Sequence, residues 1–163
     1  MDGMKQSVQF IPLNRSNVDE LSELAVRESE QHLICSNPEW LAQAAFVAES
    51  LTFGIFKEGR PVGVISFIDP RLVDEDDEDH DHYQENCLYV WRVMVDKRFR
   101  GANVGVQAIE FALGYARLVG LQGVSLTTMD REAGNALPFY ERLGFSATGR
   151  RLDDEAELVF RFG

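Results

Sequence analysis

The chain has 163 residues, the size of one domain and enough to bury a core without disulfide or metal staples. Hydrophobic residues make up 45% and charged residues 26%, which excludes a disordered tail, a collagen or a disulfide scaffold, and no apolar run is long enough to span a bilayer. Twenty-seven acidic residues against 16 basic ones give a net charge of −11, which argues against a nucleic-acid partner.

The first seven residues hold no apolar h-region, so the expected compartment is the cytoplasm. Cys35 and Cys87 have no metal-ligand spacing and are expected to be reduced. We read them as small core hydrophobes and expect no metal site.

In chain order, Val8 to Leu13 alternates weakly and reads as an opening strand. Asn14 to Asn17 is a turn with a helix cap, and Val18, Leu21, Leu24 and Ala25 recur at helical spacing. Gln31 to Ser36 fits no period. Asn37-Pro38 opens a second helix over Glu39 to Glu49. Leu51 to Phe56 and Pro61 to Ile68 form a hairpin about a turn at 57–60. Cys87 to Val95 is almost wholly apolar and predicts a central strand. Gly101 to Gly120 contains a broadly buried helix. Gly123 to Thr128 is a strand, and Ala136 to Leu143 is a short helix ended by Gly144. Phe145 to Thr148 and Glu157 to Phe162 close the chain as a hairpin. There is no repeat and no linker, so residues 1–163 are expected to form a single domain.

The negative charge is uneven. Positions 74–82 hold seven carboxylates, with His80 and His82, and without them the net charge would be −4. Such a run is usually a solvated loop, but its field also attracts cations.

The stretch from Val93 to Val106 runs from a buried strand through a short basic loop into a helix. The first amides of a helix have no internal acceptors and carry partial positive charge. Small residues there let a diphosphate approach, and Asn103 tolerates left-handed geometry better than most side chains. Lys97, Arg98 and Arg100 add positive charge. The glycine spacing fits neither a Walker loop nor a dinucleotide fingerprint, and the pattern alone also fits a plain chain reversal.

Here the sequence resembles the GCN5-related N-acetyltransferases, the GNAT superfamily. Arg100 to Gly105 matches their acetyl-CoA loop, Gln/Arg-x-x-Gly-x-Gly/Ala, with Asn103 where glycine is usual. Asn135 to Phe145 is similar to their Ala-x-x-x-Tyr-x-x-x-Gly-Phe ending, with Ala133 where an asparagine is common and Asn135 as a substitute from a shifted turn. The resemblance implies an α+β fold, a central mixed, mostly antiparallel sheet flanked by helices. Within the superfamily, Tyr89 to Gly101, Gln31, Ser36 and Thr148-Gly149 with Glu157 look like the polyamine acetyltransferases.

The resemblance implies transfer of acetyl from acetyl-CoA to a primary amine. An amine with a pKa near 10 must lose a proton before it attacks, and the leaving thiolate gains from receiving one. By the match, Tyr140 is the general acid. Glu85 is the candidate base, acting through water, with Tyr83, His80 and His82 ranked behind it. Backbone groups of Val93, Met94 and Val95 would hold pantetheine. The amides of Arg100, Gly101, Ala102, Asn103, Val104 and Gly105 would hold the diphosphate. Asn135, Tyr140 and Arg142 are further donor-side candidates.

The implied acceptor is a small cationic amine, first of all a polyamine, drawn by the acidic run and by Glu28, Glu30, Glu39 or Glu85. Trp40 and Trp91 read as core. A protein amine, an aminoglycoside, or a non-catalytic acyl-CoA sensor are the alternatives. Neither nucleic acid nor membrane is expected as a partner. Homodimers are common in that superfamily.

Overall fold

The computed structural model describes residues 8–24, 50–74, 76–77, 83–99, 103–128, 130–131, 134–152 and 154–163. The helix expected over 39–49, the segment 31–36, Cys35 and Trp40 lie outside the described residues. So do His80, His82 and most of the acidic run.

Nine strands and three helices are described. They are β1 (Gln9–Pro12), α1 (Val18–Ser22), β2 (Ser50–Lys57), β3 (Arg60–Ile68), β4 (Cys87–Val95), α2 (Val104–Leu118), β5 (Gly123–Thr128), β6 (Asp130–Arg131), β7 (Gly134–Asn135), α3 (Leu137–Arg142), β8 (Ser146–Leu152) and β9 (Glu155–Arg161). Seven strands form one sheet in the order β1-β2-β3-β4-β5-β9-β8, and β6 pairs with β7 apart from it. The β1–β2, β5–β9 and β8–β9 pairs are antiparallel and β4–β5 is parallel. This is the mixed, mostly antiparallel sheet with helices that the motifs implied. Among the described residues, no helix is long and apolar enough to cross a membrane.

The chain forms two compact units, residues 1–66 with 92–110, and residues 67–91 with 111–163. In the first unit β2 and β3 meet at a two-residue turn. Glu58 and Gly59 both have positive φ, 51° and 79°, as the twist-matched hairpin turn requires. Its core holds Leu21, Ile55, Val62, Val64, Ile65, Met94, Val104 and Ile109. Asn17 does not cap α1 as expected. Its side-chain oxygen accepts instead from the Asn14 amide at 2.8 Å, which closes the preceding turn.

In the second unit, Phe67 packs against Phe111 and Tyr115 of α2, ring centroids 5.7 and 5.5 Å apart. Leu88, Val90, Val124, Leu126 and Leu158 fill the sheet interior. Gly120 (φ 82°) ends α2, and the Leu121 amide reaches back to the Ala116 carbonyl at 2.9 Å. This is the left-handed glycine stop of a helix. Arg71 donates to the Val119 carbonyl at 3.1 Å, satisfying a further acceptor at that end. Cys87 is buried, and its burial pushes the thiol pKa up, in keeping with a core hydrophobe.

The end of β4 is held tightly by β3. The Asp96 amide donates to the Val62 carbonyl at 2.8 Å. A Cβ added at Gly63 would lie 2.5 Å from the Met94 carbonyl oxygen, closer than side chains tolerate. Gly63→Ala is therefore expected to cost about 1–3 kcal/mol, read as a lower urea midpoint at unchanged slope.

Candidate functional site

In the first unit the site candidates lie where β4 runs out and α2 begins. Met94 is buried, and Val93 and Val95 are half-buried. Asp96 follows, 2% exposed, and its side chain organises the next turn. One carboxylate oxygen accepts from the Arg98 amide at 2.9 Å and from Arg98 Nε at 2.8 Å, and the Phe99 amide donates to the Asp96 carbonyl at 2.9 Å. The result is a single 3-10 turn over Lys97–Phe99. Arg98 is thereby committed to Asp96, while Lys97 is exposed.

Arg100, Gly101 and Ala102 lie outside the described residues. Asn103 is exposed and has φ 64°, the left-handed region that glycine normally fills and asparagine enters more easily than most residues. Its carbonyl accepts from the Gln107 amide at 3.2 Å, which starts α2. The amides of Val104, Gly105 and Val106 then have no acceptor within the helix. No acidic residue stands in that first turn, so no carboxylate of that turn opposes an anion there.

In the second unit, Tyr140 lies on α3, 9% exposed. Gly144 (φ 103°) ends this helix, and the Phe145 amide returns to the Tyr140 carbonyl at 3.1 Å. That turn brings the Phe145 ring edge-on to Tyr140, 5.9 Å between centroids. Burial, with a smaller contribution from the Glu155 charge, pushes the Tyr140 phenol up to about 12. The phenol therefore keeps its proton across the neutral range. Arg142 is exposed at the end of the same helix. Glu85 is exposed in the turn that enters β4. Asn135 pairs with Asp130 through the backbone of the β6–β7 ladder.

A family model described as the acetyltransferase (GNAT) family matches residues 16–145. The chain belongs to the GNAT acetyltransferase family. It is similar in fold to an acetyltransferase from Thermus thermophilus, at 15% identity, 96% and 97% coverage of the two chains and a TM-score of 0.72. The PaiA N-acetyltransferase of Thermoplasma acidophilum, solved in complex with coenzyme A, aligns at 15% identity, 96% and 99% coverage and a TM-score of 0.68. A spermidine N-acetyltransferase chimera built in part from the Vibrio cholerae enzyme aligns at 15% identity, 95% coverage of each chain and a TM-score of 0.65. No curated protein sequence matches. The GNAT family is one of enzymes whose acetyl donor is acetyl-CoA, as the motifs implied.

The opening of α2 fits that donor. First-turn amides without acceptors in the helix, an exposed left-handed residue and the small Gly105 make a backbone that a diphosphate can approach.

Sequence reasoning missed the polar centre of this GNAT sheet. Glu157 on β9 is 1% exposed. Its Oε1 accepts from Gln84 Nε2 at 2.8 Å, Thr148 Oγ1 at 2.8 Å and Arg150 Nε at 3.2 Å. Its Oε2 accepts from an Arg150 terminal nitrogen at 2.9 Å. β8 makes room for this by slipping register between Ala147 and Arg151, with Gly149 at φ 91° in the bulge. Thr148 and Arg150 both turn onto the one carboxylate, a re-aiming typical of bulges. Arg161 in turn donates to Gln84 Oε1 at 2.9 Å. The sequence signal was Thr148-Gly149 with Glu157, singled out by resemblance but given no role, and Glu157 is one of two acids in β9.

Burial by itself would raise the Glu157 pKa, but the hydrogen bonds from Arg150, Thr148 and Gln84 outweigh it and hold the carboxyl below its ordinary 4.5. A depressed folded-state value means stability that is present above 4.5 and lost as pH falls through the folded-state value. Glu157→Gln should therefore cost about 1–3 kcal/mol at pH 7 and flatten the loss of stability below pH 4.5, both read from urea titrations across pH.

Proposed function

We propose that this enzyme moves acetyl from acetyl-CoA to a primary amine of a small cationic acceptor in the cytoplasm, acting as one domain, with a polyamine as the first candidate. The observation that carries the acceptor class is the run of seven carboxylates between β3 and β4. Its described members Asp74, Asp76 and Asp77 are exposed, and clustered charge of one sign concentrates ligands of the other.

Acetyl-CoA supplies the activated thioester when bound. The amides of residues 100–105 hold its diphosphate, and the backbone of Val93, Met94 and Val95 receives the pantetheine as an added strand would. Asn135 and Arg142 stand on the donor side. Glu85, through water, takes the proton that an ammonium must lose. The amine nitrogen then bonds to the acetyl carbon as the carbon–sulfur bond breaks. Tyr140 Oη gives its proton to the departing sulfur, and the second proton that the acylated nitrogen sheds restores the phenol. A phenol raised to about 12 is protonated at neutral pH and so ready for that role.

Thiol release from acetyl-CoA with spermine, spermidine, putrescine, an aminoglycoside and short peptides tests the reading. The longer polyamines should have the highest kcat/KM. Preference for a peptide or an aminoglycoside would overturn the polyamine assignment, and tight acetyl-CoA binding without any turnover would overturn the enzyme's assigned amine chemistry.

Tyr140→Phe should lower kcat about 100-fold or more while acetyl-CoA affinity changes less than about twofold. Equal turnover in that variant removes Tyr140 as the acid. Asn103→Gly should bind acetyl-CoA at least as well as the parent. Asn103→Val, a β-branched residue forced to positive φ, should bind it about tenfold more weakly, as a strain of about 1–2 kcal/mol implies. Titration calorimetry reads both.

A further inference from the structure

One face of β4, β5 and β9 in the second unit is polar where a buried sheet would carry aliphatic side chains. Residues paired across strands share a face, as do alternate residues along one strand. Tyr89 is paired with Ser125 and Thr127 with Glu157, so all four share it. Ser125 is 0% exposed, Glu157 1% and Tyr89 7%, while Thr127 is half-exposed.

Their contacts close a circuit. Tyr89 Oη and Thr127 Oγ1 are 3.3 Å apart. The Tyr89 ring meets the Tyr83 ring, centroids 5.1 Å apart. Gln84, next in sequence, donates to Glu157, and Glu157 lies across the ladder from Thr127.

Two further observations say what this circuit is for. The β4–β5 ladder stops at the Tyr89–Ser125 pair, although β4 runs on to Val95 and β5 to Thr128. The polar group therefore stands at the last rung. In addition, Ser125 Oγ is buried yet has no hydrogen-bond partner among the described residues. Leaving a buried hydroxyl unsatisfied costs about 1–3 kcal/mol, and such groups in native proteins call for a missing partner.

We propose that Tyr89, Thr127 and Ser125 form the subsite that receives the acceptor amine, and that Glu157 positions it from behind through Gln84 and Tyr83. This rests on the amine-acetylation reading above but not on the acceptor being a polyamine. Hydroxyl oxygens accept hydrogens from an amine nitrogen, and the faces of the two phenol rings favour it while it is charged. Thr127 is the member open to solvent, so the amine enters past it. Glu157 is not the base, because its charge is already matched by Arg150. It holds Gln84, and so the Tyr83 ring, in place.

The test uses steady-state thiol release with the amine panel named above and calorimetry with acetyl-CoA. Tyr89→Phe and Thr127→Val, which remove only hydroxyl groups, should raise acceptor KM about tenfold or more, with kcat within threefold and acetyl-CoA affinity within twofold. Ser125→Ala should raise Tm, since an unsatisfied hydroxyl is gone, and also raise acceptor KM. Glu157→Gln should raise acceptor KM, and in combination with Tyr89→Phe the effects should fall short of multiplying.

Acceptor KM within twofold of the parent in both Tyr89→Phe and Thr127→Val overturns the subsite, whatever Glu157→Gln does to folding. A Glu157→Gln protein of normal KM and lowered Tm overturns the positioning role alone. Turnover only of non-polyamine amines overturns the polyamine reading, and the subsite is then judged on those amines. No turnover of any amine overturns both.

Discussion

The parallel contact between β4 and β5 is three rungs long, and much of the rest follows from its brevity. A strand as apolar as β4 needs company along its length. It finds that at its far end in β3, whose backbone comes close enough at Gly63 that no side chain fits. On its other edge β5 is held by β9 over six rungs, Gly123–Arg161 to Thr128–Ala156. The two strands thus pair with each other only at their start, while β9 lies along the other edge of β5 throughout. Beyond Tyr89 the β5-facing edge of β4 is therefore outside that ladder, and an extended ligand binds to such an edge as an added strand does.

Charge is organised by the same economy of space. Three carboxylates are buried in the described residues with an arginine each: Asp69 with Arg71, Asp96 with Arg98 and Glu157 with Arg150. In every pair the acid is inside and the arginine side chain reaches the surface, 43%, 65% and 39% exposed. Removing a partner from such a pair strands a buried charge, so these pairs are stronger constraints than surface ion pairs. Asp69 and Asp96 each cap a 3-10 turn directly after a strand of the sheet. One turn leads into the acidic run and the other into the loop before α2. The two stretches richest in charge are therefore entered from fixed points.

The candidate acid and the polar face of the sheet illustrate two uses of burial. Tyr140 is enclosed by Phe139 and Phe145, and with no partner charge to favour the phenolate it holds its proton. Glu157 is also buried but accepts four hydrogen bonds from three side chains, which hold its pKa below the ordinary value. A phenol is neutral and a carboxyl ionised near pH 7 to begin with; burial pushes the first further up, and hydrogen bonds hold the second down despite its burial.

Read as a string, the chain already determined its main strands and the helix that follows β4. Cys87 to Val95 is an almost wholly apolar run and Gly123 to Thr128 reads as a second strand, and the strands found have those same ends. The stop at Gly144 and the left-handed tolerance of Asn103 are properties of single residues, and both are realised at φ 103° and 64°. Local preference suffices there because each feature depends only on its immediate neighbours. The polar face did not show itself that way. Ser125 and Thr127 are two of three hydroxyl residues in β5, and Glu157 is one of two acids in β9. Their meaning depends on Gln84, 73 positions from Glu157, on a register slip in β8, and on β9 lying between β5 and β8. Strand order and register come from long-range pairing, and long-range pairing is decided by the whole sheet at once. Only the folded chain could bring those residues together.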